Sequence, residues 1–150
     1  MKFKRFAALV CGMTIAFSSV AFATVENEKI GIGDVTPGMR VADLIATHGE
    51  PNIKVGDNWY YSNFKVEVDK RDSPNIVEEV SSRNVTLGTM GGVKIGQQAV
   101  ILNEAYGKAD MIQVNGSVEE YEYFNSDYTR KMKFTVHDGV IMKISCEIID

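Results

Sequence analysis

The strongest constraint on this chain is that two of its stretches share one frame. Val93-Lys94-Ile95-Gly96 leads into an apolar-striped run that stops at Tyr106-Gly107, and Val35-Thr36-Pro37-Gly38 leads into another that stops at His48-Gly49. Aligning Gly38 with Gly96 also aligns Leu44 with Leu102, His48 with Tyr106 and Gly49 with Gly107. Glycine takes the conformation of a helix stop at little cost, and Pro51 prevents the first helix from continuing. Each stop is followed by an aromatic strand, an alternating strand and a last apolar strand. A supersecondary unit used twice is the simplest reading. The expected class is α+β: two tandem repeats, each a short helix segment packed on a three-stranded antiparallel sheet. Unit 1 covers residues 24–84 and unit 2 residues 85–150, the two packed as one compact domain.

Within that frame Val41, Leu44, Ile45 and His48 fall on one helical face. In the second helix Ala99, Leu102, Ala105 and Tyr106 form the stripe facing the sheet. That leaves Val100 and Ile101 on other faces, where the opposite unit is expected to bury them. Strands are expected around Asn58 to Tyr61, Phe64 to Val68, Ile76 to Ser82, Val118 to Tyr123 and Lys131 to Val136. Asp138-Gly139 marks a two-residue hairpin. The final strand follows, with Val140, Met142, Ile144, Cys146 and Ile148 on one face. Thr24 to Lys29 reads as a frayed entry. Gly88-Thr89-Met90-Gly91-Gly92 reads as a tight connection between units.

Residues 1–23 have a basic start, an apolar middle and the small-residue end Ala21-Phe22-Ala23, the pattern of a cleavable secretory signal. Cleavage after Ala23 is expected, giving an exported protein, periplasmic or secreted, with no transmembrane segment. Cys11 lies too early for a lipoprotein signal, so a lipid anchor is not expected. Only Cys146 survives cleavage, and it has no internal disulfide partner. Loss of Lys2, Lys4 and Arg5 leaves 13 basic against 20 acidic residues and moves the net charge from −4 to −7. This balance disfavours nucleic acid as a partner.

Thr89-x-x-Gly92-Val93-x-Ile95-Gly96, the stop Tyr106-Gly107, Tyr123 and the closing Phe134 with Asp138-Gly139-Val140-x-x-Ile144 form a frame of glycines and core positions. This frame resembles the tandem-repeat relatives of the BamE/SmpA (SmpA/OmlA-like) outer-membrane lipoproteins, bacterial proteins of the cell envelope whose fold is similar to that of the β-lactamase inhibitor proteins (BLIP-like). The resemblance implies an extracytoplasmic, non-enzymatic module that binds another protein through its sheet face or loops. The alternative it implies is an inhibitor of a secreted or periplasmic hydrolase such as a β-lactamase. The lipoprotein cysteine and the inhibitors' cysteine pairs have no counterparts in this chain.

Catalytic sets are scarce. His48 occupies the place of Tyr106 and reads as a core-edge residue, while His137 reads as a solvated turn residue. Cys146 lies on an apolar strand face, where cysteine behaves as a small hydrophobe. Glu120 and Glu122 share a strand face that is expected to be solvated. No metal set with zinc or calcium spacing is present, and the glycines do not follow a phosphate-cradling pattern. The protein is therefore expected not to be an enzyme and to hold no cofactor. Candidate protein-binding residues are the aromatics Trp59, Tyr60, Tyr121 and Tyr128, because tyrosine and tryptophan join a large apolar area to a polar tip. Trp59, Tyr60 and Tyr128 are expected to be exposed.

Overall fold

A computed structural model describes residues 24–71 and 75–149. The expected signal segment, its cleavage site, Cys11 and the middle of the loop after Lys70 lie outside the described residues. Helix α1 (Val41–His48) is followed by strands β1 (Ile53–Val55), β2 (Asn58–Tyr60), β3 (Lys65–Asp69) and β4 (Ile76–Ser82). Helix α2 (Ile101–Tyr106) is followed by β5 (Met111–Asn115), β6 (Val118–Phe124), β7 (Arg130–His137) and β8 (Val140–Ile148). All the strands form one antiparallel eight-stranded sheet in the order β1-β2-β3-β4-β8-β7-β6-β5.

This corrects the expected pair of three-stranded sheets, since each half supplies four strands and the last strand of each pairs with that of the other. Val80 opposes Cys146 and Ser82 opposes Ile144 across that seam. The strands missed in the sequence are β1 and β5, the two edges. Every residue in both is exposed, so neither carries the alternation that a half-buried strand must show. Their hairpin turns were legible as Gly56-Asp57 and Gly116-Ser117, with both glycines at positive φ.

The helices cover one face of the sheet, and a single core lies beneath them. Leu44, Leu102, Val66, Val80, Tyr123, Phe134 and Ile144 are nearly or wholly inaccessible to water. Both helix stops are built alike. Gly49 and Gly107 each have φ 76°, and their carbonyls accept hydrogen bonds from the Tyr61 and Tyr123 hydroxyls at 3.1 and 3.2 Å. Arg40 makes no side-chain cap of α1 and instead pairs with Asp43 at 2.8 Å.

Several local expectations need revision. Val100 is 71% exposed and so is not buried between the halves, because α2 begins only at Ile101 and projects Val100 away from the sheet; Ile101 is half-buried against the core. Val140 and Met142 do not join Ile144 on the inner face. A bulge in β8 places Ile141 opposite Val136 and leaves Met142 as the extra residue, so Ile141 is buried and Met142 exposed. A matching bulge in β4 makes Glu78 the extra residue and lets Val77 and Val80 both point inward. The entry is docked rather than frayed. Val25 is buried and donates its N–H to the Phe124 carbonyl, and Asn125 donates to the Asn27 side chain at 2.6 Å. Ile30, Ile32 and Val35 continue that strap into the core.

Candidate functional site

With the helices on one face, the other face of the sheet is open, and its side chains stand in rows set by the strand register. One row runs Tyr60, Lys65, Ser81, Ser145, Lys133, Glu122. The next, two residues along the strands, runs Asn58, Glu67, Glu79, Glu147, Lys131. Towards β6 the charges are matched. Lys131 lies 3.0 Å from Glu147 and 3.6 Å from Glu122, and Lys133 lies 3.7 Å from Glu120. Burial by itself would lower the Lys131 pKa, but the hydrogen bond and charge of Glu147, with those of Glu122, raise it above the usual lysine value. Glu122 is buried rather than solvated, because Lys131 and the neighbouring strands cover it.

Towards β3 lies a recess of about 490 Å³, where the β2–β3 turn, the end of β4 and Lys143 of β8 meet. Tyr60, Lys65, Ser81, Arg83 and Lys143 line it, and no carboxylate does. Its rim is tied down, since Ser82 donates to the Asn63 carbonyl at 2.6 Å and Asn52 donates to Ser62 at 3.1 Å. Both halves contribute to it, β3 and β4 from one and β8 from the other. No sequence pattern points to it, because Lys65, Arg83 and Lys143 are far apart in the chain.

The aromatic candidates separate. Tyr60 stands on the open face, exposed, at the edge of the recess. Trp59 points the other way and is buried, contrary to its expected exposure: it pairs with Val66 on the helix-covered face, and the Lys54 ammonium lies 4.2 Å from its ring centroid. Tyr121 is also on the helix side, half-buried against the core, with its hydroxyl bonded to Glu119. Tyr128 is exposed in the β6–β7 loop, against Phe124 at 5.5 Å. The structure therefore brings none of the other three beside Tyr60.

His48 sits at the core edge against Phe64 and hydrogen-bonds Asp34 at 2.7 Å. Cys146 is wholly buried at the seam, where burial first, then the charges of Glu79 and Glu147, push its thiol well above the usual range. A buried thiol held protonated is a packing group and not a nucleophile. Among the described residues, one arrangement with catalytic outline joins two hairpin turns: Ser117 Oγ is 3.1 Å from His137 Nε2, and His137 Nδ1 is 3.0 Å from Asp138 Oδ2. A working triad holds its acid buried and faces a binding cleft. Here the Asp138 and His137 side chains are 73% and 52% exposed, and Ser117 lines no recess described above. Among the described residues no cluster of His, Cys, Asp and Glu is placed to hold a metal ion, and no helix is long and apolar enough to cross a membrane.

No protein-family model and no curated protein matches the chain. Its fold is similar to that of a DUF4309 family protein, YjgB, from Bacillus subtilis, with a TM-score of 0.52 and 15% identity over 73% of this chain and 78% of that one. It is also similar to an extracellular protein containing a SCP domain from Bacillus anthracis, with a TM-score of 0.53 and 10% identity over 99% of this chain and 50% of that one. This chain thus spans about half the length of that protein. At these identities the likeness is one of fold.

Proposed function

We propose that the protein is an exported, non-catalytic binding module that holds a protein partner on the open face of its sheet. The observation that carries this reading is the asymmetry of the sheet: one face is sealed by helices and core, while the other presents ordered rows of charged residues, Tyr60 and a preformed recess. Export rests on the signal pattern of residues 1–23; the fold likeness to an extracellular protein is compatible with it. A rigid sheet with fixed side-chain register offers a partner a surface that needs little ordering on binding. The sequence frame that resembles the BamE/SmpA-like proteins is compatible with this reading.

The test is site-specific photocrosslinking in exporting cells. A crosslinker at Tyr60 is expected to trap a discrete partner band that a crosslinker at Thr47, exposed on α1, does not. The same band from both positions, or none from Tyr60, would remove the open face as the binding surface.

A further inference from the structure

The charges around the recess are uncompensated in a way that the rest of the open face is not. Lys65 donates at 2.9 Å to a neutral acceptor, the Asn58 side chain. Arg83 and Lys143 make no ion pair among the described residues, although the chain carries 20 acidic against 16 basic residues. Next to these three cations lies the opposite case. Glu67 opposes Glu79, and Glu79 opposes Glu147, so three carboxylates stand side by side across β3, β4 and β8. Of these three only Glu147 meets a lysine, Lys131, which Glu122 shares, and neither Glu67 nor Glu79 has an ion pair among the described residues. Like charges directly opposite on neighbouring strands are destabilising. The fold tolerates this strain on a face that has no core to hold.

Deepening the binding reading above and resting on it, we propose that the two groups together recognise one kind of protein segment, one that places an acidic side chain in the recess and a basic side chain on the glutamate row. Arg83 supplies a planar fork suited to a carboxylate, while Lys65 and Lys143 supply point charges, and Ser81 lies between them. Along the strands the glutamate row lies two residues, about 7 Å, from Lys65 and Ser81, and four residues, about 13 Å, from Arg83 and Lys143. Alternate side chains of an extended peptide repeat at the same interval, so an acid two or four positions from a base would reach the recess and the glutamate row together. The glutamate row decides against a uniformly anionic polymer. A nucleic acid or an acidic polysaccharide filling the recess would lay further negative charge over Glu67, Glu79 and Glu147.

A random peptide library displayed on phage and selected on the immobilised protein tests this. The expected result is enrichment of sequences with an acidic and a basic residue two or four positions apart. Retention of a selected peptide should fall at least tenfold in the double variant Arg83→Glu/Lys143→Glu, fall likewise in Glu67→Lys/Glu79→Lys, weaken with added salt, and stay unchanged in Thr47→Glu on the covered side. All these side chains are at the surface, and unchanged thermal melting would show that the variants fold. Undiminished retention in the first double variant would overturn the proposal, and so would uniformly acidic sequences or heparin binding more tightly than the mixed-charge peptides. Peptides lost in Gln113→Arg, on β5 at the far edge of the open face, but kept in both double variants would leave that face as the binding surface and remove this specificity. A library that yields no enrichment would overturn the specificity, while the Tyr60 crosslink would still report on the face itself.

Discussion

Single residues show how the core and the helix stops are tied together. Tyr123 is nearly inaccessible, stands 5.4 Å from Tyr106 and 6.0 Å from Phe134, and spends its hydroxyl on the Gly107 carbonyl. Burial, with smaller contributions from Tyr121, Asp110 and Tyr106, pushes its pKa up to about 12. In the unfolded chain a tyrosine ionises near pH 10. Between about pH 10 and 12 the native state therefore keeps a proton that the unfolded state has released, and stability falls as pH rises through that window. Below pH 10 this contribution is fully present. Urea unfolding measured from pH 9 to 11.5 should show the decline, to which the raised Cys146 and Tyr106 also contribute, and Tyr123→Phe should make it less steep while costing about 1 kcal/mol at neutral pH through the lost hydrogen bond. An equally steep decline in the variant would assign it to another group.

At the scale of elements, the two bulges decide which apolar residues the core receives. Glu78 and Glu79 interrupt the pattern of β4 because Glu78 is an inserted residue, after which Val80 resumes the inner face. In β8 the same device exchanges Ile141 for Met142. A straight alternating strand would bury Met142 and expose Ile141. The bulge reverses this, so Met142→Lys should change stability by no more than about 0.5 kcal/mol, whereas Ile141→Lys buries an unpaired charge and should cost several kcal/mol. Melting temperatures of the two variants check it, and the reverse order would mean that β8 has no bulge in solution. The edge strands teach a related lesson. Ile53 and Val55 are apolar but exposed on the open face, opposite Tyr60 and Asn58, and Ile112 and Val114 are exposed on the other face at the far edge, opposite Tyr121 and Glu119.

For the whole molecule the decisive contact is the seam between β4 and β8. Val80 and Cys146 face each other there beneath the helices, both fully buried. The strap from Val25 to Val35 adds a second tie: it belongs to the first half by sequence, yet Val25 bonds Phe124 and Ile32 bridges Thr89, both of the second half. A carboxylate at the seam would be buried without a partner, against a typical total stability of about 5–15 kcal/mol. Val80→Asp is therefore expected to unfold both halves in one thermal transition, with lost protection of amides in β7 as well as in β3. Calorimetry showing two separate transitions, or hydrogen exchange showing β5–β8 intact, would make the halves independent. The recess would then lose its basis, since it needs Lys143 beside Lys65 and Arg83.

The sequence by itself determined whatever depends on neighbours along the chain. Gly49 and Gly107 stop the helices, Asp138-Gly139 turns the last hairpin, and β4 runs from Ile76 to Ser82, because each is set by local backbone preference or by the period of a half-buried element. Only the tertiary structure decided what depends on register and on pairing between distant strands. The union of β4 with β8 makes one sheet out of two expected ones, since strand edges carry no sequence label for their partners. The inward turn of Trp59 and the outward turn of Tyr60 follow from which face the helices cover, a choice that alternation leaves open. The recess belongs to the same class: Lys65, Arg83 and Lys143 become neighbours only when three strands align, and no spacing along the chain encodes that alignment.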